Sequence, residues 1–590
     1  MKKQITSILL VISFVCCLLS GCEKKDLGKG YLEDSSAYSA DEAFETLSHQ
    51  WFASQMSEDP LSCHFSISNP SSYGISFGEG SYSDLSYHAF QATQKDKRAF
   101  QKELKQLSYH QLSPRNQLVY DLLQQYYGLQ SDFDDFYYYA DPLSPTSGVP
   151  ATLPTLLAAF SLNNVEDISL YFHLLDDMDI YFEQLYCFAR EKNEKGLLQN
   201  PGGLQETISF CKSFSNYQTD HMLLTSFQER IHACDFLTSQ EKQKYMSKNQ
   251  GLVHDVVLPS YLSLSEKLLS LEINRDLGLS LCQEPKGHRY YSALVKSCTG
   301  CDSSPFQLFQ QIAEKRDRDL KKMAKLLAAH PSLATTISNY QCPLKEPEEM
   351  MDILRQSISS DYPSFPDVSV DIHHVSPEIA SYSAPAFYLI APIDSYDRHL
   401  VYYNPQSFSN SLDLFTTMAH EGFPGHLYQT CMSYSYGYEP VRCLLSYPGY
   451  VEGWATYVEM QSFQYAGLPL QVAQTLSLNQ SVVLSLYASA DIGVHFYGWD
   501  EKYLLEFLGD YGITDKNVIS EIYQLIGNDP GNYLKYYVGY MNFEELREEC
   551  EKMYPETFSP MDFHKCILQT GPSPFSILRR ELLDYFGKSA

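Results

Sequence analysis

Apolar residues recur at helical spacing over most of this chain. Residues 41–56, 99–107, 117–129 and 168–189 each carry them three and four positions apart, the pattern of helices that bury one stripe. A polar interruption spans 213–220, after which 223–236 and 261–271 resume the period. Turns such as Asn200-Pro201-Gly202-Gly203 punctuate the helices, because Pro and Gly end helical backbone. The pattern predicts a mainly α fold, with no internal repeat or low-complexity tract.

One region departs from that habit. Ala386-Phe387-Tyr388-Leu389-Ile390 and His399-Leu400-Val401-Tyr402-Tyr403 are short runs rich in aromatic and β-branched residues, which predicts a β-hairpin across 392–398. Asn404-Pro405 ends it, and a helix begins over 412–420 with Leu414, Phe415 and Met418 on one face. Such a hairpin either offers an edge on which an extended peptide can pair or only packs on the helices.

The first residues belong to a different pattern. Lys2 and Lys3 precede an uncharged, mostly apolar run over 5–19, closed by Leu19-Ser20-Gly21-Cys22. This reads as a secretory signal over 1–21. Its ending resembles the bacterial lipobox, which makes Cys22 the lipidation site and 22–40 a tether; an ordinary signal peptide is the alternative. No later stretch is apolar for long enough to span a bilayer. The expected location is therefore outside the cytoplasm, as a lipoprotein anchored to the bacterial cell membrane through lipid on Cys22. The remaining length predicts two lobes, a helical one over 41–360 and a catalytic one over 361–590.

Charge and cysteine content narrow the function. Lys and Arg number 43 against 72 Asp and Glu, a net charge of −29. A phosphate backbone demands a basic surface, so nucleic acid is excluded as a partner. Of 15 cysteines, 12 remain once Cys16, Cys17 and Cys22 are set aside, too sparse for a disulfide scaffold. Cys298-Thr299-Gly300-Cys301 has redox-like spacing, but Asp302-Ser303-Ser304-Pro305 follows as a helix-capping loop. A local disulfide or free thiols is the expectation there.

The chemistry concentrates in His420-Glu421-Gly422-Phe423-Pro424-Gly425-His426. Neutral imidazoles suit zinc, and a Glu beside a ligand can accept a proton from water. The second histidine is six residues on, about 240° around an ideal helix, so an unbroken helix would point the two apart. Pro424-Gly425 supplies a bend that can bring His426 back. Glu452 follows 26 residues after His426, and Glu452, Thr456 and Glu459 share one helical face. Carboxylates on the inner face of a Tyr/Trp/Val-rich helix are costly unless they meet a cation or donors. Glu452 is the expected third ligand and Glu459 the partner that orients a histidine.

The segment His-Glu-Gly-Phe-Pro-Gly-His-Leu-Tyr-Gln (420–429), with Glu-Gly-Trp-Ala-Thr-Tyr-Val-Glu (452–459), resembles the bacterial family catalogued as domain of unknown function 885. Gly287 to Tyr291, Ser383 to Tyr388, Asp491 to Trp499, Pro530 to Gly539 and Phe563 to Gly571 resemble further blocks of it. That family is similar to helical zinc peptidases of the gluzincin type. The resemblance implies a large helical fold with a small hairpin or sheet beside a deep active-site cleft. It implies His420, His426 and Glu452 as zinc ligands, Glu421 as general base, and hydrolysis of peptide substrates, short peptides in particular. Tyr536, placed like a tyrosine of the family, would donate to the oxyanion. Asp491 and His495 share a helix face four residues apart; His495 could donate to the substrate with Asp491 fixing its tautomer, or the pair could be a plain helix contact. A non-catalytic ligand-binding lipoprotein and a hydrolase of non-peptide amides are the alternative readings.

Overall fold

The computed structural model describes residues 39–77, 82–198, 201–216, 221–273, 278–340, 342–377 and 379–589. The expected signal, the expected lipidation site Cys22 and nearly all of the expected tether lie outside these residues, as do Asn200 and positions 217–220 of the polar interruption.

The fold is mainly α with one small sheet. Ala40–Glu58 opens on a capping box: the Ser39 hydroxyl accepts from the Glu42 N–H, and the Glu42 carboxylate accepts from the Ser39 N–H. Tyr87–Leu104, Pro114–Gln130, Met222–Ala233 and Leu258–Leu269 account for four of the periodic stretches. The stretch 168–189 is two helices, Val165–Asp176 and Met178–Glu194, parted at Asp177. Ser304 caps Pro305–Ala329, with Pro305 in its first turn, where a missing N–H costs nothing.

Three strands form the sheet: β1 (Ser369–His374), β2 (Ala386–Leu389) and β3 (Arg398–Tyr403), in the order β1-β3-β2. β2 and β3 make the expected hairpin, with Ala386 opposite Tyr403 and Leu389 opposite Leu400. β1 runs parallel to β3 and was not legible in the sequence. Only Val370 and Ile372 alternate in Ser-Val-Asp-Ile-His-His, and the strand is exposed or half-buried along its length.

One hydrophobic core draws on the chain from Phe44 to Phe586 and takes in Phe415, Trp454 and Val538. A second gathers Leu61 to Leu268 together with Val375 and Phe387 near the sheet. Within the first, Pro448–Ser462 and Asn532–Met553 cross through glycine. A Cβ on Gly453 would lie 2.4 Å from Gly539 Cα, and one on Gly539 would lie 2.1 Å from the Gly449 carbonyl oxygen. No larger residue fits that crossing, and the closeness sets Lys535 and Tyr536 against the residues described next. Among the described residues no helix is long and apolar enough to cross a membrane.

Candidate metal centre

The helix carrying the first histidine, Ser411–Glu421, is capped by Asn410, whose side chain accepts from the N–H groups of Leu412 and Asp413. It stops at Glu421, and after four intervening residues a new helix, His426–Ser435, starts. The bend is thus a full break between two helices. Glycine makes it feasible: a Cβ on Gly425 would sit 1.8 Å from the His420 carbonyl oxygen. The Trp454 indole N–H donates to the Pro424 carbonyl at 2.9 Å and ties the turn to Pro448–Ser462. The two imidazoles end with ring centres 4.8 Å apart.

Glu452 completes the group. Its Oε2 lies 3.6 Å from His420 Nε2 and 3.4 Å from His426 Nε2, and all three atoms are buried without a hydrogen-bond partner. Donors held at about 2.0–2.1 Å from a tetrahedral ion are separated by roughly 3.3–3.4 Å, so these spacings match a cation between them. Ligand atoms of His420, Glu421 and His426 also lie within 4.8 Å of one another, which makes Glu421 a rival third ligand. The shorter distances favour Glu452. Glu421 is held differently: its Oε2 accepts from the Tyr388 N–H of β2 at 2.8 Å, and its buried Oε1 has no partner.

Electrostatics point the same way. Glu421, Glu452 and Glu459 are buried beside a single buried ammonium, Lys535, whose Nζ is 3.6 Å from Glu452 Oε1. Were both imidazoles neutral and all three carboxyls ionised, two negative charges would remain, an excess that a divalent cation meets and that protons on the cluster meet in its absence. Burial would raise the Glu452 carboxyl, but Lys535 and the two imidazoles hold it well below the usual range. Burial would lower His420, yet Glu452 and Glu459 push it up to about 10. Burial raises Glu421 against the pull of His426 and His420, as a proton acceptor requires.

Around this cluster Glu459 Oε2 accepts from His420 Nδ1 at 2.9 Å, which leaves Nε2 free to face Glu452. The Tyr536 ring lies 6.2 Å from that of His420. His495 is not brought to the group. Its Nε2 donates to the Ile526 carbonyl at 2.9 Å and its Nδ1 faces the Leu281 N–H at 3.4 Å, while burial lowers its pKa to about 4. Both ring nitrogens are committed to backbone. Asp491 does not meet His495 through a hydrogen bond either; it accepts from the Tyr291 hydroxyl at 2.5 Å and from the Gly531 N–H at 2.9 Å. Cys298 and Cys301 are free thiols, raised by burial.

The sequence pattern of the family described as "Bacterial protein of unknown function (DUF885)" matches residues 70–582. The chain belongs to that family. No curated protein matches it. Among five solved chains that match are two of the same fold. One, described as the "putative lipoprotein" from Colwellia psychrerythraea, is 19% identical with a TM-score of 0.79 over 93% of this chain and 100% of its own. The other, described as a "putative lipoprotein of unknown function" from Shewanella oneidensis, is 17% identical with a TM-score of 0.62 over 92% of this chain and 99% of its own. The family match takes in every residue of the cluster.

Lys535 is the functional candidate that sequence reasoning missed. Its signal was its place beside Tyr536 on a helix of apolar and aromatic residues, where a buried ammonium needs a carboxylate partner. A cavity of about 230 Å³ adjoins the cluster, with Tyr388 and Glu452 in its wall. A larger one of about 770 Å³, lined by Asp84, Tyr137 and Lys267 among others, shares no residue with it.

Proposed function

We propose that this protein is a zinc-dependent peptidase of gluzincin-like architecture, acting on short peptides, with His420, His426 and Glu452 as ligands. The observation that carries this reading is a set of three buried, partnerless donor atoms, with Glu452 Oε2 3.6 Å from His420 Nε2 and 3.4 Å from His426 Nε2, beside the partnerless Oε1 of Glu421. Left without a cation, such atoms forfeit their solvation with nothing in return.

Zinc held there would supply Lewis acidity that draws the pKa of water toward about 7. Glu421 Oε1 takes the proton from the attacking water, and its Oε2 is kept in place by the Tyr388 N–H. The same carboxyl then returns the proton to the leaving amine. Tyr536, packed against His420, is the phenol that donates to the oxyanion. The helical surroundings favour short peptides over folded chains. The Leu-Ser-Gly-Cys ending supports export and lipid anchoring through Cys22, and the two solved structures of the same fold are both described as "putative" lipoproteins.

Metal analysis of the purified protein should find about one zinc per chain, lost on replacing His420, His426 or Glu452. Glu421→Gln should keep the metal and abolish hydrolysis in a peptide-library screen. Metal-free wild type, or a fully active Glu421→Gln protein, would sink the reading. A parallel screen of non-peptide amides separates the alternative substrate class.

A further inference from the structure

The helix that begins with His426 continues away from the metal cluster along one wall of the adjoining cavity. Gln429 and Ser433 lie three and seven residues beyond His426, on the same helix face, and both line that cavity. Each is buried, with 3% and 5% of its surface exposed. The Gln429 Nε2 and the Ser433 Oγ have no hydrogen-bond partner. Two partnerless polar groups in a cavity wall cost stability unless a ligand meets them.

A third polar residue lines the same space. Arg442 supplies the one basic side chain of the lining, and its Nε is also buried and partnerless. Its Nη2 donates to the carbonyls of Thr570 and Pro572, and its Nη1 lies 3.6 Å from Glu439 Oε2, so the guanidinium is anchored while its Nε–H has no partner. Glu439 is not part of the lining. The sole carboxylate of the wall, Glu452, is turned to the two imidazoles. The remaining wall is largely apolar, with Leu389, Ile390, Leu444 and Val451.

We infer that this cavity binds the C-terminal residue of the substrate, its carboxylate received by Gln429, Ser433 and Arg442 and its side chain by the apolar wall. The inference rests on the peptidase reading for its link to catalysis. Its reach agrees with that link. At 1.5 Å per residue, Gln429 and Ser433 stand roughly 4.5 and 10.5 Å along the helix from His426. That is about one to three residues of extended peptide, so cleavage would release about one to three residues from the carboxyl end.

The test uses N-acetyl-Phe-Leu and its C-terminal amide as paired probes. Binding is measured by calorimetry on the Glu421→Gln protein, where hydrolysis does not interfere. The free acid should bind at least about tenfold more tightly than the amide. Gln429→Leu and Ser433→Ala, made in that background, should each shrink this preference several-fold while amide binding stays the same. Equal affinity for acid and amide, or a preference that survives both substitutions, overturns the inference. The two readings fail separately: hydrolysis of acid and amide at equal kcat/KM removes the subsite and keeps the peptidase. Acid-selective binding without any hydrolysis keeps the subsite and removes the peptidase.

Discussion

At the scale of single residues, the cluster owes its form to hydrogen bonds that settle which atom of each side chain faces inward. Glu459 fixes His420 by accepting from Nδ1. Glu459→Gln keeps the shape but removes the charge, so affinity for zinc should fall about 10-fold or more, read by competition with a chelator; unchanged affinity would deny Glu459 an orienting role. Asp491 carries a pH prediction. Burial pushes its carboxyl up to about 7 from an ordinary 3.8, against the Tyr291 hydroxyl and Gly531 N–H bonded to it and with help from nearby Asp529, itself raised to about 6. The folded chain therefore keeps a proton that the unfolded chain has lost. The stability this gives is complete below about pH 4 and is lost as pH climbs toward 7, at about 1.4 kcal/mol per unit crossed. Relative to Asp491→Asn, the wild type should gain thermal stability between pH 8 and pH 5; a gap that does not change with pH contradicts the raised carboxyl. His420, Glu421 and Glu452 could be read from residue type and spacing, since buried charges on apolar helix faces advertise a partner. His495 could not, because its partners are the Ile526 carbonyl and Leu281 N–H, far off in sequence and carrying no side-chain signature.

At the scale of elements, helix periodicity was legible wherever a helix buries one stripe, as in Ala40–Glu58 and Pro114–Gln130. β1 was not, because its pairing with β3 depends on chain that returns from elsewhere. The glycine crossing of Pro448–Ser462 and Asn532–Met553 was equally silent, since Gly453 and Gly539 declare their purpose only when two backbones touch. Gly453→Ala puts a methyl where only 2.4 Å is open to Gly539 Cα. The expected cost is about 1–3 kcal/mol of stability. The shift should also move Glu452, the residue before Gly453, away from the two imidazoles, which would weaken zinc binding; denaturant unfolding and metal competition on the same sample measure both effects. Full stability in that variant would mean that the helices are not clamped there.

At the scale of the whole molecule, one core extends from the first described helix to the last and encloses the cluster. The proposed ion is thus coupled to global stability. With free zinc at about 1,000 times its dissociation constant, the folded state should gain about 4 kcal/mol. A chelator should lower Tm in the wild type and leave Tm unaltered in a His420→Ala protein; equal shifts in both would separate the metal from the fold. The break at Gly422 to Gly425 has a further consequence. Two histidines on one continuous helix are locked to its pitch, and their bite on an ion cannot be adjusted without deforming the helix. Here each imidazole rides on its own helix, so the gap between them is a property of four turn residues. Ion-size preference can then drift, in evolution or by engineering, through substitutions at the turn while every ligand and both helices stay as they are.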